Sequence, residues 1–298
     1  MRTLQILLAS LSLSILAACG GGGGDSAVQG GGGAVQGSIS GTAIKGPMSN
    51  ATVTAYAISN GLMGSQIATT TTNSNGNFTM TTGSYGGPVM LQVSGGSYTD
   101  EAMGSTMTMA PGDVMTAVMP TVTAGATVSG IQVTPVTGMA QAKAQHMAGG
   151  MTDANIAAAN TAMGNYFSVS DILHTQPMNP LLTGSGTGAS QDARNYGMVM
   201  AAMSQNAKTL NMAASSALVT GMMSDAADGV MNGMMGGSQI SMSMGGIMGM
   251  GTMASTAGTS DLATAMTNFM NSTANVSGLT AADMAALIQK LTSSNGQI

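Results

Sequence analysis

Residues 38–58 read SISGTAIKGPMSNATVTAYAI, and this stretch decides the fold class of the chain. Apolar and polar residues alternate over 38–44 and again over 51–58, which is the period of a half-buried β-strand. Between the two runs, the segment KGPMSN at 45–50 supplies the glycine, proline and asparagine of a tight turn. The stretch therefore predicts two short strands joined by a turn.

The same pattern continues towards the C-terminus. Further strand candidates lie at 66–72, 78–81 and 89–93, and the Thr-, Val- and Met-rich segment 105–133 has room for more. Asparagine, glycine and proline separate these runs at short, regular intervals. Such spacing is typical of an all-β sandwich, so we expect an antiparallel β-sandwich over residues 38–133.

Three motifs in this region resemble a known module. They read SGTA at 40–43, GPMSNATV at 46–53 and TTTNSNGNF at 70–78. Together they resemble the carboxypeptidase regulatory-like module, which is related to transthyretin-like and immunoglobulin-like domains, over about residues 37–93. The resemblance implies a sandwich in which Gly76 adopts positive φ, Asn50 stands at a position that usually carries glycine, and Phe78 fills the core. It implies no catalytic activity.

The pattern changes at Thr134-Pro135, where threonine suits a helix cap and proline suits the first turn. From here the apolar residues recur with a helical period. We therefore expect an all-α domain over 134–298, interrupted by a Gly- and Met-rich loop at 229–258. The predicted helices span 136–147, 152–167, 190–210, 215–227, 260–270 and 280–291.

The N-terminus carries an export signal. An apolar run follows Arg2 and ends in Leu16-Ala17-Ala18-Cys19, which contains the only cysteine of the chain. This ending resembles the lipobox of bacterial lipoproteins. The resemblance implies cleavage of a signal peptide at 1–18, lipidation of Cys19 with acyl chains such as palmitate, and a glycine-rich tether at 19–37. The alternative is an ordinary secretory signal with a cysteine near its cleavage site.

Destination and partners follow from the same region and from composition. Gly20 stands where an aspartate would mark retention in the inner membrane, so the lipobox resemblance favours the outer membrane. Only 6% of residues are charged and the net charge is −5, which argues against nucleic acid as a partner. We expect the membrane, reached through the lipid on Cys19, to be a partner.

Few residues suggest catalysis. His146 and His174 are far apart in sequence, and neither has a metal ligand at the usual spacing. Asp100-Glu101 could be a calcium-binding or catalytic pair. However, adjacent residues on a strand point to opposite faces, which favours a polar turn or strand end instead. We expect no enzyme activity and no cofactor.

Methionine is unusually frequent, with 32 residues in the chain and ten between 222 and 253. Thioethers are soft ligands that select Cu(I) and Ag(I). Met242, Met244, Met248 and Met250 form closely spaced pairs in a glycine-rich segment, so they are the candidate ligands. The alternative is compositional drift, because methionine replaces leucine easily in helices and cores.

The sequence thus predicts a non-enzymatic, lipid-anchored lipoprotein of the cell envelope with a structural or adhesion-like binding role. The alternative function is periplasmic Cu(I) or Ag(I) binding by the methionine-rich segment.

Overall fold

The computed structural model describes residues 36–243 and 250–298. The predicted signal peptide, Cys19 and most of the tether lie outside these residues, as do Met244 and Met248. Among these described residues, strands come first and six helices follow, within one compact unit.

Nine strands precede the first helix. They are β1 Gly37–Ala43, β2 Thr52–Ser59, β3 Leu62–Thr71, β4 Asn77–Gly83, β5 Gly87–Ser94, β6 Ser97–Thr99, β7 Thr106–Thr108, β8 Val114–Val122 and β9 Thr127–Val133. The strands predicted from alternation are all present, with ends shifted by a few residues. Strands β4, β1 and β9 form one sheet, β3, β2, β5 and β8 form a second, and β6 pairs with β7.

One pairing differs from the expected antiparallel arrangement. Strand β1 pairs antiparallel with β4 but parallel with β9. The chain passes from the four-stranded sheet to the three-stranded sheet in the short turn after β8. As a result, β9 runs in the same direction as β1. Gly41 allows this contact, since a Cβ on Gly41 would lie 1.9 Å from the Ile131 carbonyl oxygen.

The turn residues behave as the motif resemblance implies. Asn50 has φ 56° and Gly76 has φ 78°, both in the left-handed region. Phe78 is buried in an apolar cluster that takes Ile39 and Ile131 from the three-stranded sheet and Leu91 from the four-stranded one. The inner faces of the two sheets therefore share one core.

The six helices are α1 Pro135–His146, α2 Asp153–Phe167, α3 Gln191–Thr209, α4 Ser215–Ala226, α5 Ser260–Met270 and α6 Ala285–Ser293. They confirm the six predicted helices, with α6 beginning later than expected. Thr134 caps α1 through a capping box with Thr137, and Pro135 opens the helix as predicted. None of the helices in the described ranges has the length and apolarity needed to span a bilayer.

Helices α1 and α2 cover the second face of the four-stranded sheet. Met90 and Val118 from that face pack with Ala144, Ile156 and Ala159 from the helices. Leu91, next to Met90, faces the core between the sheets. Both faces of β5 are therefore buried, which explains the continuous apolar run at 89–91.

The C-terminal half is not all helical, contrary to our expectation. Two hairpins lie in the predicted 229–258 loop, one formed by β10 Met234–Met235 with β11 Ser238–Gln239, the other by β12 Ser241–Ser243 with β13 Met250–Thr252. Gly236 and Gly237 both have positive φ, as the tightest two-residue hairpin turns require. The Gly-Gly pair was the signal for the first hairpin.

Candidate functional site

The side chain of Lys45 lies inside the protein. Lys45 follows β1 in the 45–50 turn, and its side chain is only 1% exposed. Its Nζ donates hydrogen bonds to Glu101 Oε2, at 2.7 Å, and to Ser204 Oγ. Ser204 in α3 donates in turn to the same Glu101 oxygen, at 2.5 Å. This triangle joins the turn after β1, the turn after β6 and helix α3.

Asp100 makes a second connection beside the first. Its Oδ2 accepts from Ser215 Oγ, in the first turn of α4, at 2.7 Å. Ser215 Oγ also lies 3.0 Å from the Tyr98 hydroxyl. Because Ser215 donates its own proton to Asp100, the Tyr98 hydroxyl is the donor in this second hydrogen bond. The Oδ1 atom of Asp100 accepts from two backbone amides, those of Ala102 and Met103.

These six residues form what we call the buried polar cluster: Lys45, Tyr98, Asp100, Glu101, Ser204 and Ser215. The Lys45 ammonium also lies 5.5 Å from the centroid of the Tyr98 ring, within cation–π range. Four of the residues lie in the strand half and its turns, and the two serines lie in helices α3 and α4. The cluster therefore links the strands to the helices by polar contacts.

Electrostatics fix the protonation states in the cluster. Burial alone would lower the pKa of Lys45, but the charges of Glu101 and Asp100 outweigh it and raise that pKa above its usual value. Burial alone would raise the pKa of Asp100, but the charge of Lys45 and the hydrogen bond from Ser215 outweigh it and lower that pKa. The cluster therefore holds an ammonium beside ionised carboxylate.

A lysine beside a serine can act as the base that activates a nucleophile. Here the Lys45 pKa is raised, so the side chain remains an ammonium that cannot take the Ser204 proton. Ser204 is itself only 1% exposed. The arrangement therefore binds the two halves of the protein together and does not resemble a working serine–lysine pair.

Only part of this cluster was indicated by the sequence. Asp100 and Glu101 lie at the end of β6 and in the following turn, and their side chains diverge, as predicted. Both are buried, however, where a polar turn would be exposed. Lys45 and Ser204 were missed. The available signal was that a chain with a single glutamate and four lysines places one lysine in the short turn between two strands.

The two histidines lie in different places. His174 Nδ1 lies 2.8 Å from Asp171 Oδ2 at the surface. His146 ends α1 and lines a cavity of about 340 Å³ together with Met223 of α4 and Met235 of β10. No group of three His, Cys, Asp or Glu residues within 36–243 and 250–298 could hold a metal ion.

Two of the four candidate methionines can be located. Met242 is buried in the helical core, whereas Met250 is 69% exposed. Across the hairpin, Met242 pairs with Gly251 and Met250 pairs with Ser243, so the two methionines lie on opposite faces. The structure does not bring these two thioethers together. Met244 and Met248 are outside the described residues.

Asp225 in α4 holds the segment that leads to the first hairpin. Its Oδ1 accepts from the amides of Asn232, at 3.0 Å, and Gly233, at 2.7 Å. Its Oδ2 is buried and has no hydrogen-bond partner among the described residues. Burial outweighs the two amide hydrogen bonds and raises the pKa of Asp225 from 3.8 to about 6.

No protein-family model matches this chain, and no curated protein matches it. One solved structure with a detectable similarity is a 9R-lipoxygenase from Cyanothece PCC8801, at 9% identity over 64% of this chain and with a TM-score of 0.22. This chain covers 24% of the lipoxygenase chain. A TM-score this low carries no argument about fold or activity.

We expect Lys45→Met to destabilise the protein by about 3–5 kcal/mol, because two buried carboxylates lose their counter-ion. Lys45→Met/Glu101→Leu should recover part of that loss by removing one stranded charge. Urea unfolding followed by far-UV circular dichroism measures both, since the chain has no tryptophan. Lys143→Met, in a half-buried lysine of α1, is the control and should change stability by less than about 1 kcal/mol. A similarly small effect of Lys45→Met would contradict the account.

The raised pKa of Asp225 predicts a pH dependence of stability. The folded state holds the Asp225 proton more tightly than the unfolded chain does, so the contribution of Asp225 to the free energy of unfolding is greatest below pH 4 and falls as the pH rises to about 6. Asp225→Asn removes this fall while keeping the acceptor for Asn232 and Gly233. We expect the variant to be more stable than wild type at pH 7 by about 1–2 kcal/mol, and to lose that advantage at pH 4. An equal difference at both pH values would rule out this role.

Proposed function

We propose that this chain is a non-enzymatic lipoprotein of the bacterial cell envelope, with a structural or adhesion-like binding role. The observation that carries the proposal is the buried polar cluster. Lys45, Glu101 and Ser204 are residue types that could form a reactive centre. Here they make buried hydrogen bonds with each other between the strand half and helix α3. The body attached to the lipid would then act through its surface and its cavities.

The proposed architecture has two domains, a sandwich over 38–133 and a helical domain over 134–298. The two main sheets share one apolar core, which supports a sandwich of the carboxypeptidase regulatory-like kind. The left-handed Asn50 and Gly76 and the buried Phe78 support the same proposal. The parallel β1–β9 pair is a departure from an all-antiparallel sandwich.

The proposed anchor is lipid on Cys19, with the outer membrane as the destination. Each buried methylene contributes roughly 0.8 kcal/mol, so two or three acyl chains hold a protein on a membrane. The tether at 19–37 would separate the folded body from the headgroups. The charge of −5 disfavours nucleic acid as a partner of that body.

We expect the full chain, expressed in a Gram-negative host, to enter the detergent phase of a Triton X-114 partition. Its intact mass should exceed that of residues 19–298 by a diacylglyceryl and an acyl group. Cys19→Ser should stay in the aqueous phase, because the thiol that receives the lipid is missing. Ser26→Ala, in the same tether, is the matched control and should partition like wild type. A wild-type protein in the aqueous phase with an alkylatable Cys19 thiol would overturn the anchor.

A second candidate function is Cu(I) or Ag(I) binding. The observation that favours it is the cavity shared by His146, Met223 and Met235, since imidazole and thioether are soft enough for these ions. Met223 is half-buried and Met235 is 40% exposed. Methionine has three rotatable bonds, which allows its sulfur to move towards an ion. This site is separate from the set Met242, Met244, Met248 and Met250 proposed from sequence.

Competition with a Cu(I) chelator at neutral pH in reductant tests this function. We expect Met223→Leu/Met235→Leu to weaken Cu(I) binding by at least about tenfold, because two of three ligands are lost. Met63→Leu/Met103→Leu, at two exposed methionines outside the cavity, should leave binding unchanged. If only replacement of Met242, Met244, Met248 and Met250 weakens binding, the ion binds at the sequence-predicted set. Micromolar or weaker binding in every variant excludes copper as the ligand.

A further inference from the structure

A second cavity opens beside the buried polar cluster. It has a volume of about 210 Å³ and lies between the turn after β1, the segment 176–180 and helix α3. Its floor contains Glu101 and three buried apolar side chains, those of Ile44, Met178 and Met200. Exposed amide side chains from Asn75 and Gln176 line the same cavity and mark its mouth. The cavity therefore has an acidic and apolar floor and a neutral polar rim.

Glu101 contributes an unused hydrogen-bond acceptor to this floor. Its side chain is 3% exposed, and its Oε2 accepts from both Lys45 and Ser204. Its Oε1 accepts no hydrogen bond from any residue the structure describes. An ionised carboxylate has about four acceptor positions, so Oε1 keeps acceptor positions free at the cavity that Glu101 lines. A ligand in the cavity could donate a hydrogen bond to Oε1.

The charge balance of the cluster favours a cationic ligand. One ammonium, on Lys45, faces two carboxylates, on Asp100 and Glu101. Glu101 is paired directly with Lys45, and Asp100 accepts hydrogen bonds only from two amides and Ser215, so one negative charge remains in excess beside the cavity. Lys208 is at the solvent-exposed edge and donates to the Ala102 carbonyl oxygen, at 2.8 Å. A cation in the cavity would complete the charge compensation.

The lining determines which cation fits. Calcium takes six to eight oxygen ligands, usually with several carboxylates, whereas this cavity offers one open carboxylate oxygen and amides only at its rim. An ammonium needs few acceptors, and the methylenes attached to it can pack on Met178 and Met200. The volume equals that of about seven water molecules, so a ligand of about four to seven non-hydrogen atoms fits.

We propose that this cavity binds a small primary alkylammonium ion, with Glu101 Oε1 as its counter-ion and Met178 and Met200 as its apolar floor. The ligand class is a short aliphatic amine, or the end of a longer one that enters past Asn75 and Gln176. Binding of this kind requires neither the lipid anchor nor a metal.

The direct test uses saturation-transfer NMR on the full mature chain in detergent micelles to compare n-butylammonium with n-butanol, and measures calcium by its competition with n-butylammonium. We expect n-butylammonium to bind, and n-butanol and calcium to bind at least about tenfold more weakly, since neither supplies a compact ammonium. Equal binding of n-butylammonium and n-butanol would overturn the charge argument. Preferential binding of calcium would overturn the ligand class.

Two variants locate the site. Glu101→Gln should weaken n-butylammonium binding by at least about tenfold while keeping a carbonyl oxygen for Lys45. Gln176 is on the exposed rim, so we expect Gln176→Lys to keep the fold. Its ammonium would compete with n-butylammonium for Glu101 and should weaken n-butylammonium binding. Gln239→Lys, an equally exposed glutamine in β11, is the control for added charge and should bind like wild type. Unchanged binding by Gln176→Lys, in a variant whose circular dichroism matches wild type, would place the ligand elsewhere.

Discussion

The arrangement of the whole molecule depends on one buried ion pair, between Lys45 and Glu101. Lys45 extends from the end of β1 to a carboxylate after β6, and both contact Ser204 in α3. Both charges have left water, and each is stable only beside the other. Movement of α3 away from the strands would therefore break both hydrogen bonds of Ser204 and expose the ion pair to water. The pair acts as a constraint on position more than as a source of stability.

Apolar packing reinforces the same constraint from another direction. The four-stranded sheet is buried on both faces, by the core shared with the three-stranded sheet and by helices α1 and α2. If the helices moved away, the apolar residues on the second face of this sheet would be exposed to water, which is unfavourable. The proposed sandwich would therefore depend on the helical half for cover. This dependence agrees with a role as a rigid body carried on a tether.

The sequence predicted local structure well because local signals are strong here. Alternation located the early strands, and Thr134-Pro135 located the first helix. The parallel β1–β9 pair was missed because strand direction depends on where the chain changes sheets, which alternation does not encode. The first hairpin was missed because its Gly-Gly turn lies inside a segment that reads as featureless loop.

The buried polar cluster was harder to predict, since its members come from position 45, from 98–101 and from positions 204 and 215, and no local pattern connects them. Close spacing in sequence does not bring Met242 and Met250 together, because these two methionines lie on opposite faces of a hairpin. His146, Met223 and Met235 share a cavity although they are far apart in the chain. Cys19, whose motif resemblance is the most specific, lies outside the described residues.

The central claim is that the ion pair makes strands and helices one cooperative unit. Native-state hydrogen exchange measures it directly, by comparing the opening free energies of amides in β5 and α3. The account predicts equal values in the wild-type protein, and a lower value for α3 than for β5 once Lys45→Met removes the ammonium that contacts both Glu101 and Ser204 and leaves the buried carboxylate without its counter-ion. Separate opening of α3 in the wild type, with Lys45→Met changing neither value, would contradict it.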